Sequence, residues 1–88
     1  SMVDLVDKLA LHTVQGRLAG LLIEIAEAEE RGEPLGTTTQ AQMAARLGTV
    51  REMIARTLKN FEGLGLITIE RGAITIVDRQ GLEQQCET

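Results

Sequence analysis

Aromatic side chains are almost missing from this chain: Phe61 is the sole one among 88 residues, with no tryptophan or tyrosine. Recognition of single strands or RNA by stacking bases on aromatic rings therefore has no platform. Histidine is limited to His12, which has no second imidazole at metal spacing and is read as a helix-junction residue. Cysteine is limited to Cys86, so no intrachain disulfide and no Cys-rich zinc site can be built, and a tail thiol without a role is its plain reading. Long apolar runs are absent too. The longest uncharged apolar stretch, Leu18 to Ile23, is far short of a membrane span, and a cytoplasmic chain with no membrane contact is expected. No Walker or Rossmann glycine pattern occurs, and Gly63 and Gly65 read as a helix stop. With no paired acid and base and too little chain to enclose a pocket, neither an enzyme nor a cofactor is expected in this fragment.

What is present is an uneven distribution of charge. The formal net charge is −4, which argues against a nucleic-acid partner when taken whole. Residues 1–36 carry three basic and seven acidic side chains, and residues 67–88 carry two and four. The middle, 37–66, reverses the balance: Arg46, Arg51, Arg56 and Lys59 stand against Glu52 and Glu62. A phosphate backbone responds to this local field.

Hydrophobic spacing divides the chain. Val14, Leu18, Leu21, Leu22 and Ile25 recur at helical intervals and predict an amphipathic helix over 14–28. Upstream, Val3, Leu5, Val6, Leu9 and Leu11 form a shorter pattern, too brief for a stable helix unless it packs on something. Gly32, Pro34 and Gly36 mark a loop. A capping box, Thr39 with Gln42, opens the next helix, with Met43, Ala44 and Leu47 facing inward and Gly48 permitting a sharp turn. A second box, Thr49 with Glu52, is expected to open a helix over about 50–63 that buries Ile54, Leu58 and Phe61. Two short helices about a glycine turn make a helix-turn-helix. From Leu66 the period falls to two, through Ile67 and Ile69, across Arg71-Gly72, to Ile74 and Ile76: a β-hairpin. Asp78 is a candidate cap for a last short helix around Leu82 to Gln85. The fold class expected is mainly α (α+β), a winged helix-turn-helix with a three-helix core and a C-terminal β-hairpin wing.

The string from Thr39 to Asp78, TQAQMAARLGTVREMIARTLKNFEGLGLITIERGAITIVD, resembles the winged-helix domain of the Crp/Fnr (cyclic-AMP receptor protein) family of transcription regulators. The stretch LALHTVQGRLAGLLIEIAE is similar to that family's junction between a long dimerisation helix and the DNA-binding domain. The resemblance implies residues 1–12 as a remnant of that helix and hinge, and 13–88 as the DNA-binding domain. It implies double-stranded DNA as partner, a homodimer in the full-length regulator and RNA polymerase as a candidate contact.

Arg51, Glu52 and Arg56 fall near the amino end of the expected recognition helix, opposite the Ile54, Leu58 and Phe61 stripe. Such a helix presents its first turns to base edges in the major groove. Arginine can grip guanine O6 and N7 with two donors, and glutamate can accept from cytosine N4. In the family this arrangement reads TGTGA-type half-sites, whereas the Fnr branch carries an apolar residue where this chain has Arg51. The blander readings are a Glu52 that only closes its capping box and arginines that are only a solvated helix face. Thr38, Gln40, Arg46, Thr49 and Lys59 are candidates for phosphate contact, as is Arg71 at the wing tip, although a wing that only covers the core is an equal alternative. Gln40 stands where the cyclic-AMP receptor protein carries an arginine, which weakens one backbone contact.

The family's amino-terminal effector-binding β-barrel has no counterpart here, so no cyclic nucleotide is expected to bind, and Ser1 before Met2 reads as a cloning remnant on an excised fragment. The alternative to a DNA binder is a winged-helix protein-interaction module, favoured by the acidic total and the acidic first helix.

Overall fold

The computed structural model describes residues 2–36 and 39–86, with side chains from Val14 onward. In chain order the elements are α1 (Met2–Glu30), α2 (Gln40–Leu47), α3 (Arg51–Gly63), β1 (Ile67–Glu70), β2 (Ala73–Ile76) and α4 (Arg79–Cys86). Helices α1, α2 and α3 form the core with the hairpin as wing, and α4 closes the domain against α1. The two apolar patterns at the start of the chain, separate in the sequence, lie on one unbroken helix. The boundary expected between residues 12 and 13 thus falls inside α1.

The helical stripe buries Leu18, Leu21 and Leu22 of α1 against Met43, Ala44 and Leu47 of α2, Ile54, Leu58 and Phe61 of α3, Leu66, Ile67 of β1 and Leu82 of α4. Phe61, Leu18, Ile54, Leu58 and Leu82 are fully enclosed. Each such side chain contributes about 1.5–3 kcal/mol by leaving water, so the elements are held mainly by this shared cluster. Small residues let α4 come close to α1: a Cβ on Gly16 would lie 3.2 Å from the Gln85 carbonyl oxygen. Beside that contact Gln15 Nε2 donates to Gln85 Oε1, and at the other end of the helix pair Arg79 Nη2 donates to Glu30 Oε1 at 2.6 Å. That hydrogen bond, then the charge of Glu30, raises the Arg79 guanidinium above its ordinary pKa.

The wing is an antiparallel pair in which Ile67 faces Ile76, Thr68 faces Thr75 and Ile69 faces Ile74. Ile67 is buried and Ile69, Ile74 and Ile76 half-buried on one face, while both threonines point to solvent. Arg71 and Gly72 connect the strands with φ of 53° and 81°. Positive φ at both central positions is the requirement of a type I′ turn, whose twist matches that of the strands. Asp78 caps α4 as its sequence position suggests: Gly81 N–H donates to Asp78 Oδ1 at 2.9 Å.

Candidate nucleic-acid interface

The geometry of the interface is set by how α2 ends and α3 begins. At the start of α2, the Thr39 hydroxyl accepts from the Gln42 amide at 3.1 Å and Gln42 Oε1 accepts from the Thr39 amide at 3.0 Å, so the first capping box is complete. At its end Gly48 adopts φ 70°, ψ 34°, and the Thr49 amide donates back to the Ala44 carbonyl at 2.9 Å. The left-handed residue followed by this long backward bond is the usual closure of a helix at glycine.

That closure overturns the second capping box. Because the Thr49 amide belongs to the end of α2, the chain needs another extended residue before it can turn again, and Val50 becomes the N-cap of α3 with φ −103°, ψ 153°. The Val50 carbonyl accepts from the amides of Met53 and Ile54, and no side chain caps this end. Counting from Val50, the third helical residue is Met53, so Glu52 is out of register to reach back. Glu52 is released from the capping role and pairs instead with Arg56, Oε1 to Nη2 at 3.2 Å, one turn along the same helix.

Helix α3 buries Ile54, Thr57, Leu58 and Phe61 and turns the opposite side outward. Thr57 spends its hydroxyl on the Met53 carbonyl at 2.8 Å. Arg51, Glu52, Arg56 and Lys59 are all exposed. Arg51 leads the helix and pairs with nothing among the described residues. None of the four is packed inward or covered by the hairpin.

The candidates for phosphate contact are dispersed around it. Gln40 and Thr49 are half-buried at the beginning of α2 and in the turn, and Arg71 is exposed at the wing tip. Arg46, in the last turn of α2, is engaged by Glu24 of α1 at 3.3 Å with both side chains about half exposed. Thr38 and His12 lie outside the residues whose side chains are described. One residue escaped the sequence reading. Arg17 of α1 donates from Nη1 to the Leu47 carbonyl at 2.9 Å, tying the first helix to the end of α2 just before the turn. No local signal marks this contact, since it joins residues thirty positions apart. Away from α3, a groove of about 530 Å³ runs between α1 and the wing, lined by Leu22, Ile25, Met43, Ile74 and Ile76, with Glu29 and Arg79 as its charged members.

A helix-turn-helix with a wing of this kind is matched by known proteins. The model of the Crp-like helix-turn-helix domain matches residues 16–85. The chain belongs to that family. This Crp-like domain is 29% identical over 87 residues to the transcriptional regulator SdrP of Thermus thermophilus, covering 94% of the chain and 43% of that protein. Its fold is similar to the crystal structure of a CRP/FNR-family transcriptional regulator from the same organism, with a TM-score of 0.73 at 26% identity, over 94% of this chain and 45% of that one. The domain therefore spans less than half the length of these relatives. Among its described residues no helix is long and apolar enough to cross a membrane.

Proposed function

We propose that this domain is the DNA-reading head of a transcription regulator and binds duplex DNA by laying the amino-terminal half of α3 in the major groove. One observation carries the reading: Arg51, Glu52 and Arg56 are all exposed in the first two turns of α3, Glu52 and Arg56 on the side away from the buried Ile54, Leu58 and Phe61 and Arg51 at the free leading end. The relatives' description as transcriptional regulators supports it. Arg51 and Arg56 are assigned to guanine O6 and N7, and Glu52 to a cytosine amino group. The Glu52–Arg56 pair brings the two side chains together on the exposed surface of the helix. In this role their half-site is TGTGA-like. Lys59, Gln40, Thr49 and Thr38 are assigned to phosphates flanking the groove, with Arg71 at the wing tip, and Arg46 joins them by exchanging Glu24 for phosphate.

Residues 1–12 are assigned to the end of a helix that joins two copies in the full-length regulator, consistent with the unbroken course of α1. A homodimer would bring two heads to inverted half-sites about 34 Å apart, and RNA polymerase is the partner proposed for the assembled regulator.

Titration of the chain into a duplex carrying two inverted TGTGA elements, monitored by fluorescence anisotropy over a range of salt, tests the reading. The expected result is binding at low salt in one-to-one and then two-to-one stoichiometry. Its affinity falls with a log–log slope of about −0.9 per phosphate contacted. Absence of binding even at about 50 mM salt, where phosphate contacts are strong, would favour a winged helix that docks protein, the reading to which the acidic first helix points.

A further inference from the structure

Four large apolar side chains are exposed among the described residues: Val50 at 65%, Met53 at 38%, Leu64 at 55% and Val77 at 60%. Two of these sit together at the amino end of α3. Val50 and Met53 are three residues apart, hence on one flank, and the Met53 amide donates to the Val50 carbonyl at 3.0 Å. Neither serves the core, which takes Ile54, Thr57 and Leu58 from the same turns. Valine is also a poor N-cap, since it offers the free amides no acceptor. The pair gives up helix-end stability and leaves apolar surface in water, immediately beside Arg51, Glu52 and Arg56.

We propose that Val50 and Met53 form an apolar reading element that recognises the C5-methyl groups of thymine in the major groove. The inference rests on the DNA-binding reading above and adds a specificity determinant to it. The occupant follows from position and chemistry. The groove that receives the guanidinium groups of Arg51 and Arg56 displays donors, acceptors and one apolar feature, the thymine methyl, and side chains without polar hydrogens can favour only that feature. Val50 precedes the first helical residue and Met53 lies one turn from Arg56 on the neighbouring flank, so the apolar flank continues the charged edge. A hydrophobic contact here distinguishes thymine from uracil, which hydrogen bonds from arginine do not.

The experiment removes the methyl alone. Duplexes are first selected from a random pool by the chain at low salt, and in the best of them each thymine is replaced in turn by deoxyuridine. Loss of affinity by about three- to fivefold is expected at one or two positions, the effect of one buried methyl group. In the Val50→Ser, Met53→Gln double variant, whose fold is checked by its thermal transition, thymine and uracil duplexes should bind alike at those positions. A flat deoxyuridine scan with the parent chain, a penalty that survives in the double variant, or a folded double variant that binds no duplex would each overturn the assignment. Recovery of no duplex at all by the parent chain would instead overturn DNA binding itself, so the two failures are distinct.

Discussion

Val50 and Arg51, adjacent at the start of α3, separate two kinds of residue role. Val50 leaves the first amides of the helix without a side-chain acceptor. Val50→Ser supplies one, and a gain of about 1 kcal/mol in unfolding free energy is expected in urea denaturation, because a serine hydroxyl at this position can accept from the second or third helical amide. Arg51, by contrast, makes no ion pair among the described residues, so its replacement costs the fold little. Arg51→Ala should leave the unfolding curve within about 0.5 kcal/mol of the parent. It should cost about 1–3 kcal/mol of binding to a duplex with the preferred guanine, and far less to one without it. Equal loss on every sequence would make Arg51 a phosphate contact.

Among the elements, α4 depends on one close approach. A Cβ on Gly81 would lie 2.5 Å from Asp78 Oδ2 and 2.6 Å from the Leu66 side chain, so both the cap of α4 and a buried leucine must move to admit it. Gly81→Ala is expected to destabilise by about 1–3 kcal/mol, as overpacking usually does, even though alanine is the better helix former. Thermal unfolding would register this, and a neutral result would mean that α4 shifts without strain. The start of α3 is the element on which sequence reasoning failed. Thr39 and Gln42 were legible as a box because the preceding helix, α1, has already ended at Glu30, whereas Thr49 and Glu52 directly follow a helix whose closure consumes the Thr49 amide. A local motif can be recognised only when its backbone groups are not already taken, and that depends on the preceding turn.

Across the whole molecule, one cluster connects every element, and Phe61 is its largest side chain with no exposure. Phe61→Ala should cost about 3–5 kcal/mol through lost contact and an unfilled cavity. Small domains have about 5–15 kcal/mol in total, so a strongly lowered melting temperature and loss of all DNA binding are expected together, checked by circular dichroism and the same titration. Charge is also a whole-molecule matter. The acidic α1 and the cationic edge of α3 coexist in a chain of net charge −4 because the core lies between them, and their separation lets a local field act despite the total.

Periodicity and turn chemistry are properties of neighbours along the chain, so the residues alone were enough to place the helices with their inward faces, the hairpin with its two-residue turn, and the outward side chains of α3. The packed fold was needed to establish that α1 is continuous, that α3 begins after Val50, that Glu52 pairs with Arg56, and that Arg17 fastens α1 to the end of α2. Each of these depends on which backbone groups remain free once elements have closed and packed, and that competition is resolved in three dimensions.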